Sequence, residues 1–134
     1  MKHVCCNELS NDLLMKLLEI NSAIVYHGTA RPGAKFSTEH SRVGIYFSTR
    51  YADAKDYAEN DVEFYDDNAE PKVIHAKLHL KNPKDLKGSI ESQELTKAQV
   101  KEWEDQGYDG LHSGTEWVAF YPSQIEIIKV ENLK

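Results

Sequence analysis

Asp109-Gly110-Leu111-His112-Ser113-Gly114-Thr115-Glu116-Trp117-Val118-Ala119-Phe120-Tyr121-Pro122-Ser123-Gln124-Ile125-Glu126-Ile127-Ile128-Lys129-Val130 packs three short strands between two turns. Asp109 to His112 and Glu116 to Phe120 flank a turn at Ser113-Gly114, and Ile125 to Val130 follows the breaker Pro122-Ser123. Working upstream, Val73 to Leu80 alternates, with Ile74, Ala76, Leu78 and Leu80 on one face and His75, Lys77 and His79 on the other. Asn82-Pro83 closes it. Thr96-Lys97-Ala98-Gln99 is a capping-box pattern that opens a helix, and Gly107 ends it. Val43 to Ser48 and Ala23 to His27 are rich in β-branched and aromatic residues and read as strands. Thr49 is placed to cap a helix through about Glu59, whose Tyr51, Ala54, Tyr57 and Ala58 share one face. Gly28 to Gly33 reads as a loop. Ser10 to Ile20 reads as a helix with a stripe of Leu13, Leu14, Leu17 and Leu18. Many short strands with a few helices between them predict an α+β fold. Repeats and low-complexity linkers are absent, so residues 1–134 read as one domain, with residues 1–22 as an N-terminal tail and helix.

Length and composition narrow the class. A chain of 134 residues, 40% hydrophobic and 28% charged, fits one globular domain. No apolar run is long enough to cross a membrane as a helix. Sixteen Lys+Arg against 22 Asp+Glu give a net charge of −6, which argues against a nucleic-acid partner. The opening Met1-Lys2-His3-Val4-Cys5-Cys6 has no apolar core, so no secretory signal is expected. Adjacent Cys5 and Cys6 are strained for a disulfide, and the simplest setting is a reducing cytoplasm, bacterial or host. With His3 they match no common zinc spacing, and His75 and His79 lie on a wet strand face, so no metal is expected. Residues 59–70 hold six acids and no base and read as a solvated loop without the ordered spacing of a calcium loop.

No P-loop, Gly-x-Gly-x-x-Gly, Gly-x-Ser-x-Gly or His-Glu-x-x-His is present. Three places at strand ends remain. His27 beside Gly28 sets a polar ring next to backbone groups able to hold an amide. Tyr46 and Tyr57, on a strand end and the following helix, can sandwich a flat heterocycle. Glu116 opens the apolar strand Trp117-Val118-Ala119-Phe120 and can stand at a pocket mouth. Taken singly, each has a plainer reading: a structural histidine, core tyrosines and an exposed strand-end glutamate.

Together, His27-Gly28-Thr29, Gly44-Ile45-Tyr46-Phe47-Ser48, Ala54-x-x-Tyr57 and Glu116-Trp117-Val118 resemble the ADP-ribosyltransferases of the diphtheria-toxin and poly(ADP-ribose)-polymerase group. That group is marked by a His–Tyr–Glu triad. The resemblance runs from about Tyr26 to Ile125 and is nearest to the small domains of bacteria and their phages. It implies a split β-sandwich of two small, mostly antiparallel sheets with flanking helices. NAD+ is the implied co-substrate. His27, Tyr46 and Glu116 are the implied catalytic set, and His27, Gly28, Thr29, Tyr46, Ser48, Ala54, Tyr57 and Glu116 the implied NAD+ contacts. Gly28 would hold the nicotinamide carboxamide, and Tyr46 and Tyr57 would stack on its ring. His27, supported by Thr29, would bond the adenosine-side ribose, and Glu116 the 2′-hydroxyl of the nicotinamide ribose.

Two positions depart from the group. Ala54 replaces a serine that contacts the amide in polymerase relatives. Gly114, two residues before Glu116, removes the Glu/Gln-x-Glu element of the arginine- and asparagine-modifying branch. The implied activity is transfer of one ADP-ribose to a protein target, by a monomer, with chain extension not expected. Transfer to a small molecule or nucleic acid, and a non-catalytic NAD or ADP-ribose-binding module, are the alternatives. Toxin, phage effector and defence roles are all open. The segments Arg31 to Arg42 and Glu59 to Glu70 are the expected target contacts, the acidic one favouring a basic protein.

Overall fold

A computed structural model of the chain describes residues 24–33, 44–90 and 95–134. The helix expected over residues 10–20 and most of the loop expected over residues 31–42 lie outside the described residues. Within them the order is β1 (Val25–Thr29), β2 (Ile45–Ser48), α1 (Tyr51–Asp61), β3 (Lys72–Leu78), β4 (Pro83–Asp85), α2 (Lys97–Asp105), β5 (Gly110–Ser113), β6 (Glu116–Ala119) and β7 (Ile125–Asn132). The α+β class holds.

The strands form one sheet in the order β4-β5-β6-β2-β1-β3-β7, antiparallel except where β4 runs parallel to β5. This corrects the expected pair of separate sheets. The union is narrow, however. β1 pairs with β3 at five positions and β2 with β6 at four, whereas β1 and β2 are paired only at Tyr26 opposite Ser48. The ladder stops there, so one hydrogen-bonded sheet contains two half-sheets, β4-β5-β6-β2 and β1-β3-β7.

Each face of the sheet has its own apolar cluster. Directly opposed residues point to the same face. Val25, Ile45, Phe47, Ala76, Leu78, Leu80, Trp117 and Ala119 form a cluster on one face that crosses the β1–β2 boundary. On the opposite face, Leu111 and Val118 pack with Ile90, Leu95, Val100 and Phe120, with Trp103 of α2 against them. α1 lies on that same face above β1, where its buried Ala54 and Ala58 meet Gly28.

The alternation expected around β3 is present. Ile74, Ala76, Leu78 and Leu80 are buried, while His75 and His79 each bond a glutamate of β7, Glu131 and Glu126. The capping box of α2 is also formed. Thr96 Oγ1 accepts from Gln99 N–H and Gln99 Oε1 from Thr96 N–H, and Gly107 follows the helix with φ +99°.

Four readings change. β1 continues through Thr29, because Gly28 and Thr29 pair with Val73 and Lys72. Thr49 does not cap α1. Its N–H bonds Thr115 O across the sheet, Arg50 occupies the cap position without a side-chain bond, and Ser48 Oγ accepts Arg50 N–H. Pro83 begins β4 rather than only ending the preceding strand, which suits a residue with no N–H to donate. The acidic residues 59–70 are the end of α1 and two 3₁₀ turns, Val62–Phe64 and Asp66–Asn68.

Candidate active site

Four of the expected residues, Gly28, Tyr46, Ser48 and Glu116, share one face at the boundary between the half-sheets. One row of opposed residues crosses it: Ser113 on β5, Glu116 on β6, Ser48 on β2 and Tyr26 on β1. Glu116 and Ser48 are therefore cross-strand neighbours on one face. Tyr46 shares that face two residues along β2, half-buried against the α2 cluster. Gly28 shares it two residues along β1.

His27 lies on the other face, its ring 5.6 Å from that of Phe47. It reaches Tyr46 through the main chain, with Nδ1 2.7 Å from the Tyr46 carbonyl oxygen. A carbonyl oxygen can only accept, so Nδ1 carries the proton and Nε2 of the neutral ring is an acceptor. Burial pushes the His27 pKa below its ordinary 6.5 and is the largest influence. The Tyr46 bond opposes it, Arg31 adds to the lowering, and Asp61 counters it. The neutral tautomer is thus the one favoured near pH 7. A bond from a histidine to a strand carbonyl occurs just where the β1–β2 ladder ends, so a side chain takes up the bridging between half-sheets.

Gly28 is buried under α1. A Cβ there would lie 1.8 Å from the Ala54 carbonyl oxygen and 3.1 Å from Ala58 N. Glycine is required by this close approach, independently of any ligand. Ala54 is core, its backbone against Gly28. Tyr57, on the same helix, is 55% exposed. Thr29 is buried, and its Oγ1 accepts from Arg31 N–H, turning the chain out of β1.

Glu116 is half-buried at the start of β6. Its Oε1 accepts from Ile90 N–H at 3.0 Å. That partner has no signature in the sequence, because any residue but proline carries a backbone N–H.

Two of the six acids in residues 59–70 are engaged, while the others are exposed. Asp61 Oδ2 accepts from Ala30 N–H at 3.0 Å and Glu70 Oε1 from Gly33 N–H at 3.1 Å, while Glu70 N–H donates to Ala30 O. The Gly33 bond, then Lys72, hold the Glu70 carboxyl below its ordinary range. These contacts fix the turn that follows His27-Gly28-Thr29. A third acid, Glu131, ties the start of α1 to the sheet: it accepts from Tyr51 Oη at 2.9 Å and pairs with His75 Nε2 at 3.0 Å. The His75 bond, then Tyr51, lower its pKa, and Glu131 in turn raises that of Tyr51. Tyr26 meets both Tyr51 and His75 edge-on.

Among the described residues no group of three or more His, Cys, Asp or Glu side chains is arranged to hold a metal ion, and no helix is long and apolar enough to cross a membrane. Among curated proteins no relative matches the chain. The family model of the ADP-ribosyltransferase in polyvalent proteins matches residues 21–133, a span holding both half-sheets and all eight candidate residues, and the chain belongs to that family of ADP-ribosyltransferases.

Proposed function

We propose that the chain is a mono-ADP-ribosyltransferase of the His–Tyr–Glu type, moving one ADP-ribose from NAD+ to a protein. The observation that carries this reading is the His27–Tyr46 link beside the Ser48–Glu116 pair, at the end of the ladder between half-sheets. NAD+ lies along that boundary. The Gly28 backbone takes the carboxamide, and Tyr46 and Tyr57 take the faces of the nicotinamide. Ser48 lines the boundary next to Glu116. Neutral His27 accepts a ribose hydroxyl at Nε2.

In the reaction the bond between nicotinamide nitrogen and ribose C1′ breaks, its electron pair leaving with nicotinamide. The acceptor forms the new bond to C1′ and loses its proton. Positive charge builds on the ribose as the first bond lengthens. A carboxylate on the 2′-hydroxyl stabilises that state more than the ground state. Aromatic stacking adds about 1 kcal/mol beyond burial and mainly orients the ring. Glu116 therefore carries the larger share of the rate.

The test is nicotinamide release from NAD+ by the pure chain, and labelling of lysate by tagged NAD+. Wild type is expected to release nicotinamide slowly and label protein bands. Glu116→Gln keeps an acceptor for Ile90 N–H but loses the charge, and is expected to lose about 100- to 1,000-fold in turnover while staying folded. Unchanged turnover in that variant removes the mechanism. Label found only in small molecules moves the acceptor to that class, and tight NAD+ binding without nicotinamide release makes the domain a reader.

A further inference from the structure

Ser113 and Glu116 close the β5–β6 hairpin as opposed residues, separated by the turn Gly114-Thr115. Both reach the same third segment, residues 88–90, which follows β4. Ser113 Oγ donates to the Gly88 carbonyl at 2.5 Å, and Ile90 N–H donates to Glu116 Oε1 at 3.0 Å. The donor on one strand and the acceptor on the other hold the two ends of one short bend. The bend is anchored further. Leu86 N–H bonds His112 O, Ser113 is 7% exposed, and the Ile90 side chain is 0% exposed in the α2 cluster.

Gly88 sits at φ +78°, a left-handed conformation that lets the chain turn with its carbonyl toward Ser113. Ile90 serves two purposes at once: its side chain is locked in the core, so its N–H has little freedom. A hydrogen bond from such a donor fixes a carboxylate better than one from a mobile side chain. Among the described residues Oε2 of Glu116 accepts no hydrogen bond, so one oxygen is held and the other is available to substrate.

We propose that residues 88–90, clamped by Ser113, are the positioning element of Glu116, with Ile90 N–H holding Oε1 and leaving Oε2 for the ribose hydroxyl. The inference rests on the proposed transferase reading. Ser113 touches neither NAD+ nor acceptor in this scheme. It acts through the bend, and so is a positioning residue. Because Glu116 works on the transition state, losing the clamp lowers kcat and leaves KM for NAD+ nearly unchanged.

The experiment compares wild type, Ser113→Ala and Ser113→Thr for nicotinamide release, and follows the Ile90 amide by hydrogen exchange. Ser113→Ala is expected to lose about 10- to 100-fold in kcat with KM within about twofold, as expected for a misplaced catalytic group. Its Ile90 amide is expected to exchange at least about tenfold faster. Ser113→Thr keeps the hydroxyl and restores both. An active wild type whose Ser113→Ala variant keeps its kcat, or keeps Ile90 protected, overturns the clamp alone. A rise in KM with kcat intact also overturns it, since that marks a binding defect. A folded wild type that releases no nicotinamide overturns the transferase reading, and the catalytic role of the clamp with it.

Discussion

Gly28→Ala tests whether α1 is seated by close approach or only by its own apolar face. The added Cβ would stand 1.8 Å from the Ala54 oxygen and 2.7 Å from the Ala54 carbonyl carbon. Ordinary contact begins near about 3.4 Å, so the helix must withdraw by roughly 1.6 Å. The obstructing atoms are helix backbone and cannot rotate away. Withdrawal lifts Ala54 and Ala58, both buried, off the sheet, and strains the Tyr51–Glu131 bond at the start of the helix. Gly28 does not have positive φ, so the cost is steric and not conformational. Overpacking of this kind costs about 2–3 kcal/mol, which lowers Tm by about 10 °C in a chain of this size. Urea unfolding by circular dichroism should show a lower midpoint at unchanged slope. A variant within about 0.5 kcal/mol of wild type refutes the seating argument, because a surface substitution does no more than that.

Two other perturbations follow from the electrostatics. His27 has a lowered folded pKa, so the unfolded chain takes up its proton at about 6.5 while the folded chain resists. The stability present above pH 6.5 is lost as pH falls from there toward the folded value; His27→Gln should lack this loss when unfolding is compared at about pH 7.5 and about pH 5.5. Equal declines in both proteins would count against it. The Glu131 contribution is separate, because its lowered carboxyl pKa confines the loss to pH below about 4.5. Asp61→Ala removes the acceptor of Ala30 N–H, with an expected cost of about 1–2 kcal/mol and faster exchange at Ala30. Asp61→Asn keeps an acceptor and should retain most of both; continued protection of Ala30 in Asp61→Ala would show that the turn is held by other means.

What the sequence revealed follows from the range of each interaction. The alternation around β3, the Thr96–Gln99 box and the start of β6 at Glu116 are written in neighbouring side chains, and all three are found. Thr49 was a sound cap by type. The cap position falls one residue later, on Arg50, and Thr49 N–H pairs with Thr115 O in the β5–β6 turn, a partner that the local pattern cannot see. Asp61 and Glu70 resemble a solvated acidic run, since their main-chain partners lie 31 and 37 residues away. The carboxylate of Glu116 was legible as a residue type at a strand end, but Ile90 was not, because its contribution is an amide. In the sequence Gly28 offers backbone groups able to hold an amide, and the structure adds a reason of a different kind, the closeness of a helix. The join of the half-sheets by a single pair could not be anticipated from two strands that each looked complete.

That single pair has a mechanical consequence. On one face the two halves share the cluster running from Val25 and Phe47 to Trp117, so they are bound together there as by a spine. On the other face each half carries its own helix, α1 over β1 and α2 against β5 and β6. A small rotation about the spine would part the helix-bearing sides at the cost of one ladder position, the His27–Tyr46 bond and the contact of α1 with β2, instead of the four or five ladder positions that define the strands within each half. Compliance is thus concentrated along one line of the sheet, the line along which the proposed function lays NAD+.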